Sequence, residues 1–236
     1  MQRTKERRPR TVQLHRSRRI RRRRLGLVLG AGVVVLVLVV VINGASGNSG
    51  SFPLPSRASL AGLSMRQRIV AIANSQVGYS TDPAHSYCNK FSAYWDAGTA
   101  ACPGGEMSEE WCADFAAWAW QKAGVRLIYG YAPGQINGGA ASFYDWGVAH
   151  GQWHPATSGY RPAPGDVAVY GLSVGTDPSA AHVAIVTGDA PGQPGPDVIN
   201  GDGDRTGFSV VETGTDETRA DTSHHADSTL AGYVTP

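Results

Sequence analysis

Cys112 lies in the run Glu109-Glu110-Trp111-Cys112-Ala113-Asp114-Phe115-Ala116-Ala117-Trp118, where a turn-rich stretch gives way to an apolar helix. A thiol in the first turn of a helix faces unpaired backbone N–H groups and the positive end of the macrodipole. Both favour the nucleophilic thiolate over the thiol. Seventy residues on, His182 opens the strand-like run His182-Val183-Ala184-Ile185-Val186, and the polar group Asn200-Gly201-Asp202 follows eighteen residues later. A cysteine, a histidine and a third polar residue in that order are the parts of a cysteine hydrolase. They supply a nucleophile, a general base and a group that orients the imidazole.

These residues need elements to hold them. Ile69, Val70, Ile72 and Ala73 recur at helical spacing and predict a helix over 65–76, ended by Gly78. Residues 79–107 are rich in turn formers and read as a long loop. Ser108 is placed to cap the next helix, which has Trp111 at its third position and stops at Gly124. Only Asp114, Gln121 and Lys122 interrupt its apolar surface, so it is a buried element with Cys112 at its mouth. A third helix is expected over 139–150. Short strands follow over 166–170, 182–188, 197–200, 208–212 and 232–234, the first two as an antiparallel hairpin. Helices first and strands second predict an α+β domain, with N-terminal helices packed on an antiparallel sheet.

Charge divides the chain. The first 24 residues hold 12 of the 21 basic residues and one acid, leaving 9 basic against 18 acidic residues in the rest. A body with a formal charge of −9 lacks the clustered Lys and Arg that phosphate contact requires, so nucleic acid is not an expected partner. Residues 25–42 are uninterruptedly apolar, and 18 residues at a rise of about 1.5 Å span about 27 Å, close to the hydrocarbon thickness of a bilayer. With the Arg-rich block in front of it, this segment predicts a single-pass signal anchor. Residues 1–24 would be a basic cytoplasmic tail and the rest would lie outside, tied to the cytoplasmic membrane. The competing reading is a signal peptide cleaved near Ala45-Ser46-Gly47, which would release a secreted body. Residues 43–64, rich in Gly, Ser, Asn and Pro, read as a flexible linker that could extend at most roughly 75 Å.

Three cysteines in an exported body suggest one disulfide and one free thiol. Pairing Cys88 with Cys102, both in the loop-like region, leaves Cys112 free and would contribute roughly 3 kcal/mol. Cys112 paired with either of them would instead be inert. His15, His85, His150, His154, His224 and His225 show no metal-ligand spacing with a third ligand, so no metal or cofactor is expected. Asp202-Gly203-Asp204 lacks the ligand ladder of a calcium loop. Trp118 and Trp120 read as core, and Trp111, next to the nucleophile, as the best candidate for lining a substrate cleft. Glu109 and Glu110 suit a helix N-terminus electrostatically, although close to Cys112 they would oppose thiolate formation.

Four pieces in order resemble the CHAP domain, a cysteine/histidine-dependent amidohydrolase and peptidase. They are Trp111-Cys112-Ala113-Asp114-Phe115, Pro164-Gly165-Asp166-Val167-Ala168-Val169-Tyr170, His182-Val183-Ala184-Ile185-Val186 and Val198-Ile199-Asn200-Gly201-Asp202. The resemblance covers about residues 65–236 and is closest to exported actinobacterial CHAP proteins. It implies a papain-like α+β fold and cleavage of amide bonds in peptidoglycan, as an N-acetylmuramoyl-L-alanine amidase or a peptide-bridge endopeptidase. Within it Cys112 matches the nucleophile, His182 the general base, and Asn200 the third residue, with Asp202 as the other candidate for that role. An NlpC-type endopeptidase would carry Asp-Cys-Ser-Gly at the nucleophile, which Trp-Cys-Ala-Asp does not match. The reading from another class is a catalytically silent wall-binding or scaffold module with the same fold.

Overall fold

The computed structural model describes residues 52–83, 86–189, 196–204, 209–214 and 229–236. The basic tail, the apolar segment 25–42, residues 43–51, His85, His224 and His225 lie outside the described residues. Among the described residues no helix is long and apolar enough to cross a membrane.

The chain opens with a short helix α1 (Arg57–Leu60) and then α2 (Met65–Asn74). The start of α2 is built from its own sequence. The Ser64 hydroxyl accepts from the Gln67 N–H, and the Gln67 side chain accepts from the Ser64 N–H at 2.9 Å, a reciprocal capping box. A three-stranded antiparallel sheet in the order β1-β3-β2 follows, made of β1 (Cys88–Asn89), β2 (Ala100–Ala101) and β3 (Met107–Ser108). Helix α3 (Lys90–Trp95) runs between its first two strands. Then come α4 (Cys112–Ala123) and α5 (Ala141–His150). A six-stranded antiparallel sheet ends the chain, built from β4 (Trp153–Pro155), β5 (Val167–Tyr170), β6 (His182–Asp189), β7 (Pro196–Gly203), β8 (Val210–Gly214) and β9 (Leu230–Val234). Its order is β4-β9-β5-β6-β7-β8. The α+β prediction and the β5–β6 hairpin therefore hold.

Helix α4 is the centre of the core. It packs against α2, α3, β6 and β7, while α5 packs on β4, β5 and β9. Ten of its twelve residues are buried, as expected for a helix apolar nearly all round. Both faces of the large sheet are covered. Val167, Val169, Val183, Ile185 and Ile199 join the helical core, and Ala168, Tyr170, Ala184, Val186 and Val198 form a second cluster with Tyr233. Trp118 and Trp120 are core residues, and the Trp120 indole donates to the Gly165 carbonyl at 2.9 Å.

Four local expectations change. The linker does not run to residue 64, because Phe52 meets Tyr79 edge-on at 5.7 Å and its carbonyl accepts from the Gln76 side chain at 3.3 Å. An aromatic ring in a polar stretch found an apolar partner that only the fold supplies. The loop 79–107 contains α3, whose signal is its cap: Asn89 Oδ1 accepts from the N–H groups of Phe91 at 3.0 Å and Ser92 at 2.7 Å. Ser108 belongs to β3 and caps nothing, so the nucleophile helix begins at Cys112. Strand β4 is added to the expected strands, since three residues carry too little periodicity to announce it.

Candidate active site

Cys112 is the first residue of α4, and no local side chain caps that helix. The acceptor comes from ninety residues away. Asp202 on β7 takes the Trp111 N–H on Oδ2 at 3.1 Å. Its other oxygen accepts from the Ser209 hydroxyl at 2.6 Å, and Ser209 in turn accepts from the Trp111 indole N–H at 2.7 Å. The three side chains thus close a ring around the residue that precedes the thiol. Asp202 adopts a left-handed conformation with φ 57°, which turns its carboxylate toward the helix start.

This ring corrects the reading of Trp111. The side chain is 0% exposed, stacks on Phe91 at 5.2 Å and meets Tyr79 edge-on, so it cannot present a face to substrate. Its apolar body is worth more in the core than at a cleft, and Ser209 satisfies its one polar atom.

His182 begins β6 and is 2% exposed. On β7, Asn200 pairs with Ala184, two residues along from His182, so His182 and Asn200 are diagonal neighbours across the ladder. The His182 Nε2 lies 3.0 Å from Asn200 Oδ1. An amide oxygen only accepts, so Nε2 carries the hydrogen and the neutral ring keeps its lone pair on Nδ1. The thiol reaches the same strand end, where the Val183 N–H donates to it. Gly201, between Asn200 and Asp202, makes this approach possible. A Cβ there would fall 2.5 Å from Phe115 Cβ, one turn into α4.

The thiol itself is not the thiolate expected from a helix start. Cys112 is buried, and its pKa is pushed up to about 12. Desolvation is the largest cause, followed by the Asp202 charge; the Val183 N–H opposes both, and Glu110 and Asp114 add to the rise. A helix terminus supplies about 0.3–1 kcal/mol, too little to offset the burial of an anion. Cys112 is therefore a thiol at neutral pH, and its proton must leave as it attacks.

Cys88 and Cys102 form a disulfide with a Cα–Cα distance of 5.9 Å, which leaves Cys112 free. Among the described residues no group of three His, Cys, Asp or Glu could hold a metal ion. His150 Nδ1 sits 2.8 Å from the Trp146 carbonyl, and His154 stacks on Tyr160. Trp95 is partly buried, stacked on Tyr129, with its indole donating to the Asp114 carbonyl at 3.1 Å. Reasoning from sequence missed three residues here. Ser209 carried no signal, Gly201 carried one only as a residue without a side chain, and Asp114 stood out as the single acid in an apolar helix.

The CHAP domain model matches residues 104–198, a span that contains Cys112 and His182 and stops two residues before Asn200. No curated protein and no solved structure matches the chain. Residues 104–198 are therefore similar to the CHAP domain.

Proposed function

We propose that this protein is a cysteine hydrolase that cuts amide bonds in peptidoglycan. CHAP domains are amidohydrolases and peptidases. The observation that carries the reading is the junction of three elements. The thiol at the start of α4 meets the Val183 N–H, the residue after His182, whose Nε2 faces Asn200 Oδ1.

In the reaction, His182 takes the thiol proton on Nδ1 as the Cys112 sulfur attacks the amide carbonyl carbon. The proton passes to the departing amine as the C–N bond breaks, leaving a thioester. Water, deprotonated by His182, attacks the thioester; the C–S bond breaks, the carboxylic acid product leaves, and His182 returns the proton to the Cys112 sulfur. Backbone N–H groups at the start of α4 supply donors for the oxyanion. Asn200 orients His182, and Asp202 holds the helix start. The scissile bond is either the amidase bond next to muramic acid or a peptide bridge of the wall.

The test is incubation of the full chain with purified peptidoglycan, followed by mapping of the released ends. New ends at a sugar–peptide or peptide–peptide amide, absent with Cys112→Ala, support the hydrolase. Retention on the wall without any new end supports the silent wall-binding module instead.

The apolar segment 25–42 and the Arg-rich block before it support a membrane-anchored protein with its catalytic domain outside. Phe52 packs against Tyr79 of the domain, and the nine residues 43–51 before it have a contour length of at most about 30 Å. The enzyme would then act on wall next to the membrane. A tail-specific antibody on fractionated cells checks this, and a tail-less body in the medium would point to the secreted form.

A further inference from the structure

Asp114 is the single acidic residue of α4, two positions after Cys112, and it is 0% exposed. Its carboxylate accepts from the Ser92 hydroxyl of α3 at 2.6 Å and from the Tyr129 hydroxyl at 2.5 Å. The Glu109 side chain, three positions before Cys112, converges on the same point as this carboxylate, beside Gly138. Two carboxyl groups can share a hydrogen bond only if one of them holds a proton. Both turn toward Gly138, where a Cβ would stand 2.7 Å from Glu109 Oε1 and 3.5 Å from Asp114 Oδ1. Glu109 Oε1 is buried there without a hydrogen-bond partner, so an ionised Glu109 would lack compensation for its burial.

We propose that Glu109 is a positioning residue for the nucleophile: as a neutral carboxylic acid it donates to the Asp114 carboxylate and closes a ring of chain, residues 109–114, in which Cys112 sits. Asp114 already ties the first turn of α4 to α3 and to the Tyr129 loop. The Glu109 bond adds the segment entering the helix, so the backbone on both sides of the thiol is fixed to one point. The inference rests on the reading of Cys112 as nucleophile. The groups facing Glu109 are the Asp114 carboxylate from α4 and the phenols of Tyr129 and Tyr131 from the loop after α4, with exposed Glu110 next in sequence. Each is neutral or negative, so none favours an ionised Glu109.

Burial, the hydrogen bond and the Asp114 charge push Glu109 up from 4.5 to about 8. A carboxyl raised in the folded state contributes stability that is complete below pH 4.5 and is lost as pH rises to about 8. Glu109→Gln keeps a donor toward Asp114 and removes the titration. Glu109→Ala removes both. Gly138→Ala pushes the pair apart and leaves the acids in place.

The experiment follows thermal unfolding, iodoacetamide alkylation of Cys112 and peptidoglycan hydrolysis for the full chain across pH 4.5 to above 8. The melting temperature of the wild type should fall relative to that of Glu109→Gln over this window. Glu109→Ala should lose roughly tenfold in hydrolysis and alkylate severalfold faster, and Glu109→Gln should return both to within about twofold, the size of effect expected of a displaced reacting group. A pH-independent difference between wild type and Glu109→Gln overturns the proposal, as does a Glu109→Gln chain as impaired as Glu109→Ala. If the wild type cuts no amide at any pH, the hydrolase reading fails, while the unfolding and alkylation profiles still decide whether the ring holds Cys112.

Discussion

Helices α2 and α4 begin in opposite ways. The first four N–H groups of any helix lack intrahelical partners, and α2 meets this need within four residues, through Ser64 and Gln67. Helix α4 has no side-chain cap of its own and takes its acceptor from Asp202, a residue of β7. The difference separates a scaffold helix from one that carries chemistry. A locally capped helix keeps its start wherever it is placed, whereas the start of α4 exists only when the sheet has formed. The atoms beside Cys112 are thereby registered to the strand that carries Asn200.

The largest effect should come from the reacting groups. Cys112→Ala or His182→Ala should abolish hydrolysis while the thermal transition stays where it was. Asn200→Ala should follow, with a loss of roughly 10²-fold in kcat by the role of an imidazole orienter and little change in stability. Asp202→Ala should do the reverse in proportion, lowering stability by about 1–2 kcal/mol through the lost cap, measured by urea unfolding, and slowing turnover through a displaced helix start. If Asp202→Ala instead copied Asn200→Ala in kinetics without any loss of stability, Asp202 would be the orienter and the contrast between the two helices would collapse.

Charge sharpens the same point. Asp202→Asn retains an acceptor oxygen for the Trp111 N–H but removes the anion, so the thiol pKa should drop below about 12. The alkylation rate of Cys112 would then begin its rise at lower pH than in the wild type. An unchanged alkylation profile would mean that Asp202 acts by structure alone. The smallest effect is expected at α2, where Ser64→Ala should cost about 1 kcal/mol and leave turnover unchanged. A comparable loss of activity there would show that the two helix starts are coupled after all.

Much of this arrangement was legible in the chain because it depends on local pattern. The apolar surface of α4 announced a buried helix, Gly124 its end, and the short apolar runs of β5 and β6 the hairpin that carries His182. What escaped had no local signature. Helix α3 is six residues long and is specified chiefly by the Asn89 cap. Phe52 looked like part of a linker because its partner Tyr79 lies 27 residues away. Trp111 looked like a cleft residue because adjacency in sequence says nothing about which way a side chain faces.

Residue types and their order determined that a thiol, an imidazole and a polar third group belong to one chain, that one cysteine is left over from a disulfide, and that the helix beginning at the thiol is buried. Those properties follow from chemistry and periodicity, which a sequence displays directly. Only the tertiary structure decided that Asn200 meets His182 while Asp202 turns to the helix start, and that the thiol rests protonated. Hydrogen-bond partners ninety residues apart are chosen by strand register and by a single left-handed residue, and a pKa is set by the solvent and charges that packing leaves around it.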